Sequence, residues 1–404
     1  MVGFQVIVKK MSHLPGDRNT WNIMSTKSLS LRLSFYYLAL FLIVGTFVPY
    51  LPLWMGGRGL SSEQIGLVLA VALWAKIPVG LSMTGEIDYS GKRKRSLLLI
   101  ALVSLGGMII MDYANSFVAI LLVWLLVGTL LTTAMPIADS LSLLAANRSG
   151  VRYGKVRRWG SISFIIASVA GGWYLQGRAS DDVLWLMVGG TVLLVIATML
   201  MPDLRTEPRG RNRPAILDVL KSPNFLLFVA TAALLQSSHA GLYGFASRHW
   251  IDAGLDENTV GLLWAEGVIA EVIIFSAGGF LVAKFGPARL LMLAGLAGMV
   301  RWGVLSQTTE LPVLIAIQAL HGLTFSGTHI AAFAFIMQNV QEEQSASAQG
   351  LFDSLAMGLF FGLSMAAAGW VYERATSDAF LLMTTLSLAG GLGATLLYWR
   401  TRNN

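Results

Sequence analysis

The chain has 404 residues, of which 55% are hydrophobic and only 13% charged, and it contains no cysteine. Soluble globular chains carry about a quarter charged residues, so this composition excludes an ordinary water-soluble fold, and the missing thiols exclude disulfides, thiolate metal sites and cysteine nucleophiles. The net charge of +7 is not a nucleic-acid signature, because the Lys and Arg residues fall in short loops between apolar stretches, as topology signals do in membrane proteins.

Taken in chain order, residues 1–30 form a polar and basic N-terminal tail with Lys9, Lys10, Arg18 and Lys27. They lack the apolar core of a cleavable signal, and Met24 is as good a start as Met1. Apolar windows of about nineteen residues predict helices over 31–55, 62–86, 95–113, 116–144, 158–177 and 182–201. A polar linker over 202–222 follows, carrying Arg205, Arg209, Arg211 and Arg213. Six further helices are expected over 223–247, 257–284, 288–307, 311–340, 345–372 and 377–399, with a tail at 400–404. The expected fold is an all-α membrane protein, twelve transmembrane helices in two pseudo-symmetric six-helix bundles. Basic residues crowd the connections after the second helix (Lys92, Arg93, Lys94, Arg95), the fourth (Arg148, Arg152, Lys155, Arg157, Arg158), the sixth and the eighth (Lys284, Arg289), whereas the opposite loops hold only Arg58, Arg178, Arg248 and Arg374. That bias predicts cytoplasmic termini in a bacterial inner membrane.

The halves echo each other after their second helix. Gly85-Glu86-Ile87-Asp88-Tyr89-Ser90-Gly91-Lys92-Arg93 and Gly279-Phe280-Leu281-Val282-Ala283-Lys284-Phe285-Gly286 both resemble the major facilitator signature between helices two and three. The first copy has Thr84 where the leading glycine usually stands, and the second has Ala283 in place of the acid. Glycine permits a tight turn there, and an acid at a helix end can pair with neighbouring bases as two halves rock. Asp88, Gly91, Lys92, Arg93, Lys284 and Gly286 are therefore expected to form a cytoplasmic gate. Gly358 and Gly362, with Gly390, Gly391 and Gly393, are read as helix-packing positions.

An ionisable side chain near the bilayer centre costs about 3 kcal/mol or more, so each one inside a predicted helix marks a place where protein replaces lipid. The first half carries Lys76 and Asp139; the second carries Glu266, Glu271, Arg301, His321 and His329. Glu271 and Arg301 lie roughly 20 Å from the helix ends at 284 and 288. His321 lies about 15 Å from the opposite end of the tenth helix, in a core about 30 Å thick. The spacing predicts that these three meet at one depth, giving a buried acid whose charge the arginine stabilises and whose proton affinity changes when that contact loosens. The competing reading is a static ion pair that locks register, with His321 as core packing. Lys76 and Asp139 share a depth and are read either as a structural pair or as substrate or gating groups. Glu266 lies on another helix face and is expected to line the cavity, whereas His329 reads as core or gate packing. Tyr37 and Tyr50 (with Tyr36) in the first helix, Gln236, His239 and Tyr243 in the seventh, Trp264 in the eighth and Gln318 in the tenth complete a mixed surface. It suits a ring-bearing solute with a polar or anionic group. The sequence has no nucleotide-binding P-loop, His-Glu-x-x-His zinc helix or G-x-S-x-G elbow, so no cofactor, metal or enzymatic role is expected. Asn147-Arg148-Ser149 matches a glycosylation sequon but falls in a basic loop.

Several runs are distinctive: Tyr153-Gly154-Lys155-Val156-Arg157-Arg158-Trp159-Gly160-Ser161, Leu235-Gln236-Ser237-Ser238-His239-Ala240 with Tyr243-Gly244-Phe245, Ala270-Glu271-Val272-Ile273-Ile274-Phe275, Val300-Arg301-Trp302-Gly303, and Asp139 after Pro136. From about Leu31 onward the chain resembles the phenylpropionate permease family, which stands near the nucleoside and lactose proton symporters. The resemblance implies proton-driven uptake of an aromatic acid such as 3-phenylpropionate by a monomer whose partners are solute, protons and lipid. Kinship with lactose permease implies coupling through Glu271, Arg301 and His321. The second acid of its tenth helix is missing, since Phe325 and its neighbours hold no carboxylate, so coupling is expected to rest on Glu271 or Asp139 alone. Export of aromatic or amphipathic compounds, nucleoside or sugar symport, and a non-transporting sensor are the alternatives.

Overall fold

Inside lipid every backbone N–H and C=O has to be satisfied within its own segment, which leaves an apolar chain of this kind only the helix. The computed structural model describes residues 25–205 and 219–402, with side chains throughout except at 84, 85, 88, 89 and 343. Most of the expected tail and linker, including Arg209, Arg211 and Arg213, and the Asp88 side chain lie outside the described residues. The helices are α1 (Thr26–Gly57), α2 (Ser62–Ser90), α3 (Arg93–Asp112), α4 (Phe117–Ser149), α5 (Tyr153–Leu175) and α6 (Asp182–Leu200). They continue as α7 (Pro223–Asp252), α8 (Glu257–Ser276), α9 (Gly278–Leu305), α10 (Leu311–Asn339), α11 (Ser345–Ala375) and α12 (Asp378–Arg402). Eleven of the twelve are long and apolar enough to cross a membrane. The other, α5, has 23 residues but is diluted by glycine and serine.

Local chemistry sets the helix ends. The Ser61 side chain accepts from Gln64 N while the Gln64 side chain accepts from Ser61 N, a capping box that starts α2. Ser116, Ser222 and Asp256 cap α4, α7 and α8 in the same sense, each satisfying an N–H that the helix cannot. Gly91 ends α2 at φ 67°. Within α9 the chain reverses at Gly286 (φ 70°, ψ 168°), so residues 278–285 prolong α8 and the ninth span proper is 287–305. The two echoing loops thus share a left-handed glycine, a conformation that a Cβ disfavours. One boundary differs consequentially from the sequence reading: α5 starts at Tyr153, so Lys155, Arg157 and Arg158 belong to a helix and not to the loop before it.

The first half packs α1 on α5 and α6, and α4 on α2 and α3; the second packs α12 on α7 and α9. The halves meet along α2 with α11 and α5 with α8. Three stretches of the second half widen into π-helical turns: 242–246 in α7, 322–327 in α10 and 353–360 in α11. Such turns shift the phase of a helix and often accompany functional sites.

Closest approach between the halves lies at the end opposite the basic loops. A Cβ on Gly172 would stand 2.3 Å from the Glu257 carbonyl oxygen, and one on Gly261 2.2 Å from that of Ser168. Polar contacts reinforce this closure: Ser62 N donates to Glu373 Oε2 (2.6 Å), Arg374 pairs with Glu63 (3.1 Å) and Gln176 Nε2 donates to Asp256 (3.1 Å). Gly261→Val is expected to prop this end open. A cysteine placed at Ser168, which is buried, should then react with a water-soluble maleimide roughly tenfold faster than in the Gly261 background. An unchanged rate would show that this seam is not the closure.

Candidate functional site

Helices α8 and α10 approach closely at two glycines: a Cβ on Gly322 would lie 2.4 Å from the Ala270 carbonyl oxygen, and one on Gly267 3.2 Å from the His321 ring. This brings Glu271 on α8 against His321 on α10, and Arg301 on α9 completes a row. Arg301 Nη1 donates to His321 Nδ1 (2.7 Å), and His321 Nε2 lies 2.8 Å from Glu271 Oε1. Arginine has no acceptor and stays charged, so His321 Nδ1 must carry the lone pair. Its hydrogen then sits on Nε2 and is donated to Glu271. The expected trio therefore meets, with one difference: the arginine reaches the acid through the histidine and makes no direct ion pair with it.

Arg301 is fully buried and is held from several sides. Nη2 donates to Gln318 Oε1 (2.6 Å), Nη1 also reaches Thr324 Oγ1 (3.3 Å), and the guanidinium lies 4.3 Å from the Trp302 ring centroid. Gln318 Nε2 donates in turn to the Leu263 carbonyl (3.1 Å), and Trp302 Nε1 to Ser238 Oγ (3.1 Å). His239 joins through Thr324, its Nε2 lying 3.0 Å from Oγ1 and its Nδ1 3.0 Å from the Gln236 carbonyl. Gln236 Nε2 lies 2.6 Å from His329 Nδ1. The structure thus corrects the expectation that Gln236, His239, Gln318 and Trp264 form free solute-binding surface. Each has a polar group engaged in a protein contact, that of Trp264 with Ser247 Oγ (2.9 Å), while Gln236 Oε1 has no partner among the described residues, and all four are buried. Tyr243 stays partly exposed beside Trp264, His321 and Phe361. Glu266 is half-buried and makes no hydrogen bond or ion pair among the described residues.

Asp139 anchors the facing half. Tyr37 and Tyr153 donate their hydroxyls to its Oδ1 (2.5 and 3.0 Å), while Arg157 Nε stands off at 3.9 Å. The Arg157 guanidinium lies over the rings of Phe41 (4.4 Å) and Tyr37 (5.5 Å). It keeps 27% of its side chain exposed. Arg157, Tyr153 and Thr324 were missed by sequence reasoning. Gly150, a C′ glycine at φ 65°, was the available signal that α4 ends there and leaves room for α5 to start at Tyr153.

Other expectations need correction. Lys76 does not pair with Asp139; it crosses between the halves to Asp353 (3.0 Å). Tyr50 is buried and donates to the Ser168 carbonyl (2.5 Å) in the sealed end, away from the cavity. Of the expected gate, Arg93 is buried with Nε donating to Ser140 on α4 (3.0 Å), Lys92 is exposed, and Lys284 lies over Phe280 and Phe285.

Twelve helices in two halves, closed on each other at one end and holding charged groups in the gap between them, define a secondary transporter of the major facilitator type, not an enzyme. The chain belongs to the MFS_1 like family, which it matches over residues 30–382. It is 30% identical over 374 residues to the probable 3-phenylpropionic acid transporter of Escherichia coli (strain K12), covering 91% of this chain and 96% of that one. It is 25% identical over 383 residues to the maltose permease of Geobacillus stearothermophilus, covering 91% and 94%. The crystal structure of nucleoside transporter NupG shares the fold at a TM-score of 0.81 and 16% identity, covering 92% of this chain and 99% of that chain.

Replacing Gln318 by Leu strands both Arg301 Nη2 and the Leu263 carbonyl. The variant should lose about 2 kcal/mol of stability, read as a lower melting temperature in detergent. An unchanged melt would mean that Gln318 does not hold the arginine.

Proposed function

We propose that the chain is a proton-coupled importer of a small aromatic acid such as 3-phenylpropionate, working as a monomer by alternating access. It sits in the bacterial inner membrane with both termini cytoplasmic. The basic connections support that orientation, in which the closure between Gly172 and Gly261 faces the periplasm and the cavity opens inward.

The observation that carries this reading is the buried row Arg301–His321–Glu271. His321 cannot take a second proton while Arg301 donates to Nδ1, because two N–H groups would then face each other. Glu271 can: protonation removes the negative charge at the end of the row and leaves Arg301 supported by Gln318, Thr324 and the Trp302 face. An acid whose protonation changes the charge of the gap between two rocking halves is what coupling requires. On the other wall, Arg157 is suited to a solute carboxylate. Its one carboxylate partner among the described residues stands 3.9 Å away with Oδ1 already accepting from two phenols, and the Tyr37 and Phe41 rings beneath it suit an aromatic body. Similarity to the 3-phenylpropionic acid transporter supports the same solute class.

Two measurements in proteoliposomes test the reading. Glu271→Gln should abolish accumulation driven by a pH gradient while sparing counterflow; full accumulation would remove the acid from coupling. Arg157→Ala should weaken binding of 3-phenylpropionate by roughly tenfold or more without weakening that of its neutral amide. Equal effects on both ligands would exclude the carboxylate role.

A further inference from the structure

Three histidines, two of them buried, surround Glu271 and Arg301, and their hydrogen bonds differ in whether they admit a second proton. His321 is barred by Arg301. His239 is fully buried, and Thr324 at its Nε2 also accepts from Arg301, so a charge there would stand beside a fixed cation. His329 differs on both counts. It lies eight residues beyond His321 on α10, about 12 Å nearer the basic end, and is only partly buried.

We propose that His329 is the residue through which Glu271 exchanges its proton with water at the basic end of the cavity, with the Gln236 amide turning to follow the charge. The inference rests on the proton-coupled reading above. In the neutral ring, Gln236 Nε2–H donates to Nδ1 (2.6 Å). In the charged ring, Nδ1–H needs an acceptor, and two stand ready. The Phe325 carbonyl lies 3.2 Å away, and Gln236 Oε1 is buried without a partner among the described residues. Half a turn of the amide brings that oxygen to face Nδ1. The turn gives up the contact of Gln236 Nε2 with the Phe325 carbonyl (3.3 Å), and in exchange the charged ring and the orphaned oxygen satisfy each other.

The charges around His329 tie this exchange to the motion of the halves. Glu271 faces it from α8, Asp353 from α11 and Lys76 from α2; α7 contributes Gln236 and, further along, His239. Asp353 is held by Lys76 across the seam between the halves. When that seam parts, Asp353 loses its cation and becomes free to stabilise a charged His329. In the transfer, an N–H bond of the His329 imidazolium breaks, the proton passes along intervening water, and an O–H bond forms on Glu271. The reverse step returns the proton to the basic end. Phe325 packs between His321 and His329 (ring centroids 5.5 and 4.7 Å), which keeps the two rings from bonding each other.

The direct test is side-chain 15N NMR of histidine-labelled protein in nanodiscs, in a His13→Asn/His249→Phe background that leaves these three rings. One ring should titrate between about pH 5 and 8, and His329→Gln should remove its signal; if none of the three titrates, the proposal is overturned. In proteoliposomes His329→Gln should slow pH-driven uptake roughly tenfold and flatten its pH profile, with substrate counterflow preserved. A wild-type pH profile in that variant, alongside a Glu271→Gln variant that fails to accumulate, would sink the role of His329 and leave coupling intact. Accumulation by Glu271→Gln would sink the coupling reading and this inference with it.

Discussion

Arg301 is a guanidinium with no exposed surface, set at mid-depth among twelve apolar helices, and most of the second half is arranged to hold it. A charge in that position is tolerated only where protein groups replace its water. Gln318, Thr324, the Trp302 face and His321 do so. Because arginine only donates, its contact with His321 settles the tautomer of that ring and aims the remaining N–H at Glu271. A single fixed cation therefore settles the tautomer of the histidine and, through it, the orientation of the acid.

The first half is built on the opposite plan. Asp139 is satisfied by two phenol hydroxyls, and its arginine is kept at arm's length over two rings. The second half binds both Nη atoms of its cation to its own side chains, with Nε left without a partner among the described residues, while the first holds its arginine 3.9 Å from its acid. That division fits a transporter in which one half stores a proton and the other meets an anion. The seam between the halves relies on bare backbone contact at glycine, which can part and re-form without unfolding either half.

The apolar windows located every helix to within a few residues, and counting rise along helices eight, nine and ten placed Glu271, Arg301 and His321 at a common height. Height along one helix follows from sequence position, whereas the direction a side chain faces depends on the rotation of that helix against its neighbours. The π-helical turns at 242–246, 322–327 and 353–360 alter that rotation and leave no hydropathy signal. Lys76, readable either as a partner of Asp139 or as a substrate or gating group, meets Asp353 at the start of the last of these turns, and the contacts that bury Tyr50, Gln236 and Gln318 likewise come from other helices. Arg157 was lost for a simpler reason: the basic cluster that marks topology hid the first turn of α5.

Residue order alone carried the apolar spans, the helix count, the distribution of basic loops and the shared height of Glu271, Arg301 and His321, because helical hydrogen bonds and transfer into lipid are local properties of a segment. Which residue bonds which was left to packing. The closeness of α8 and α10 at Gly322, the histidine between acid and arginine, and the lysine that bridges the halves each depend on surfaces hundreds of residues apart in the chain or on the angle at which two helices cross, and no local pattern encodes either.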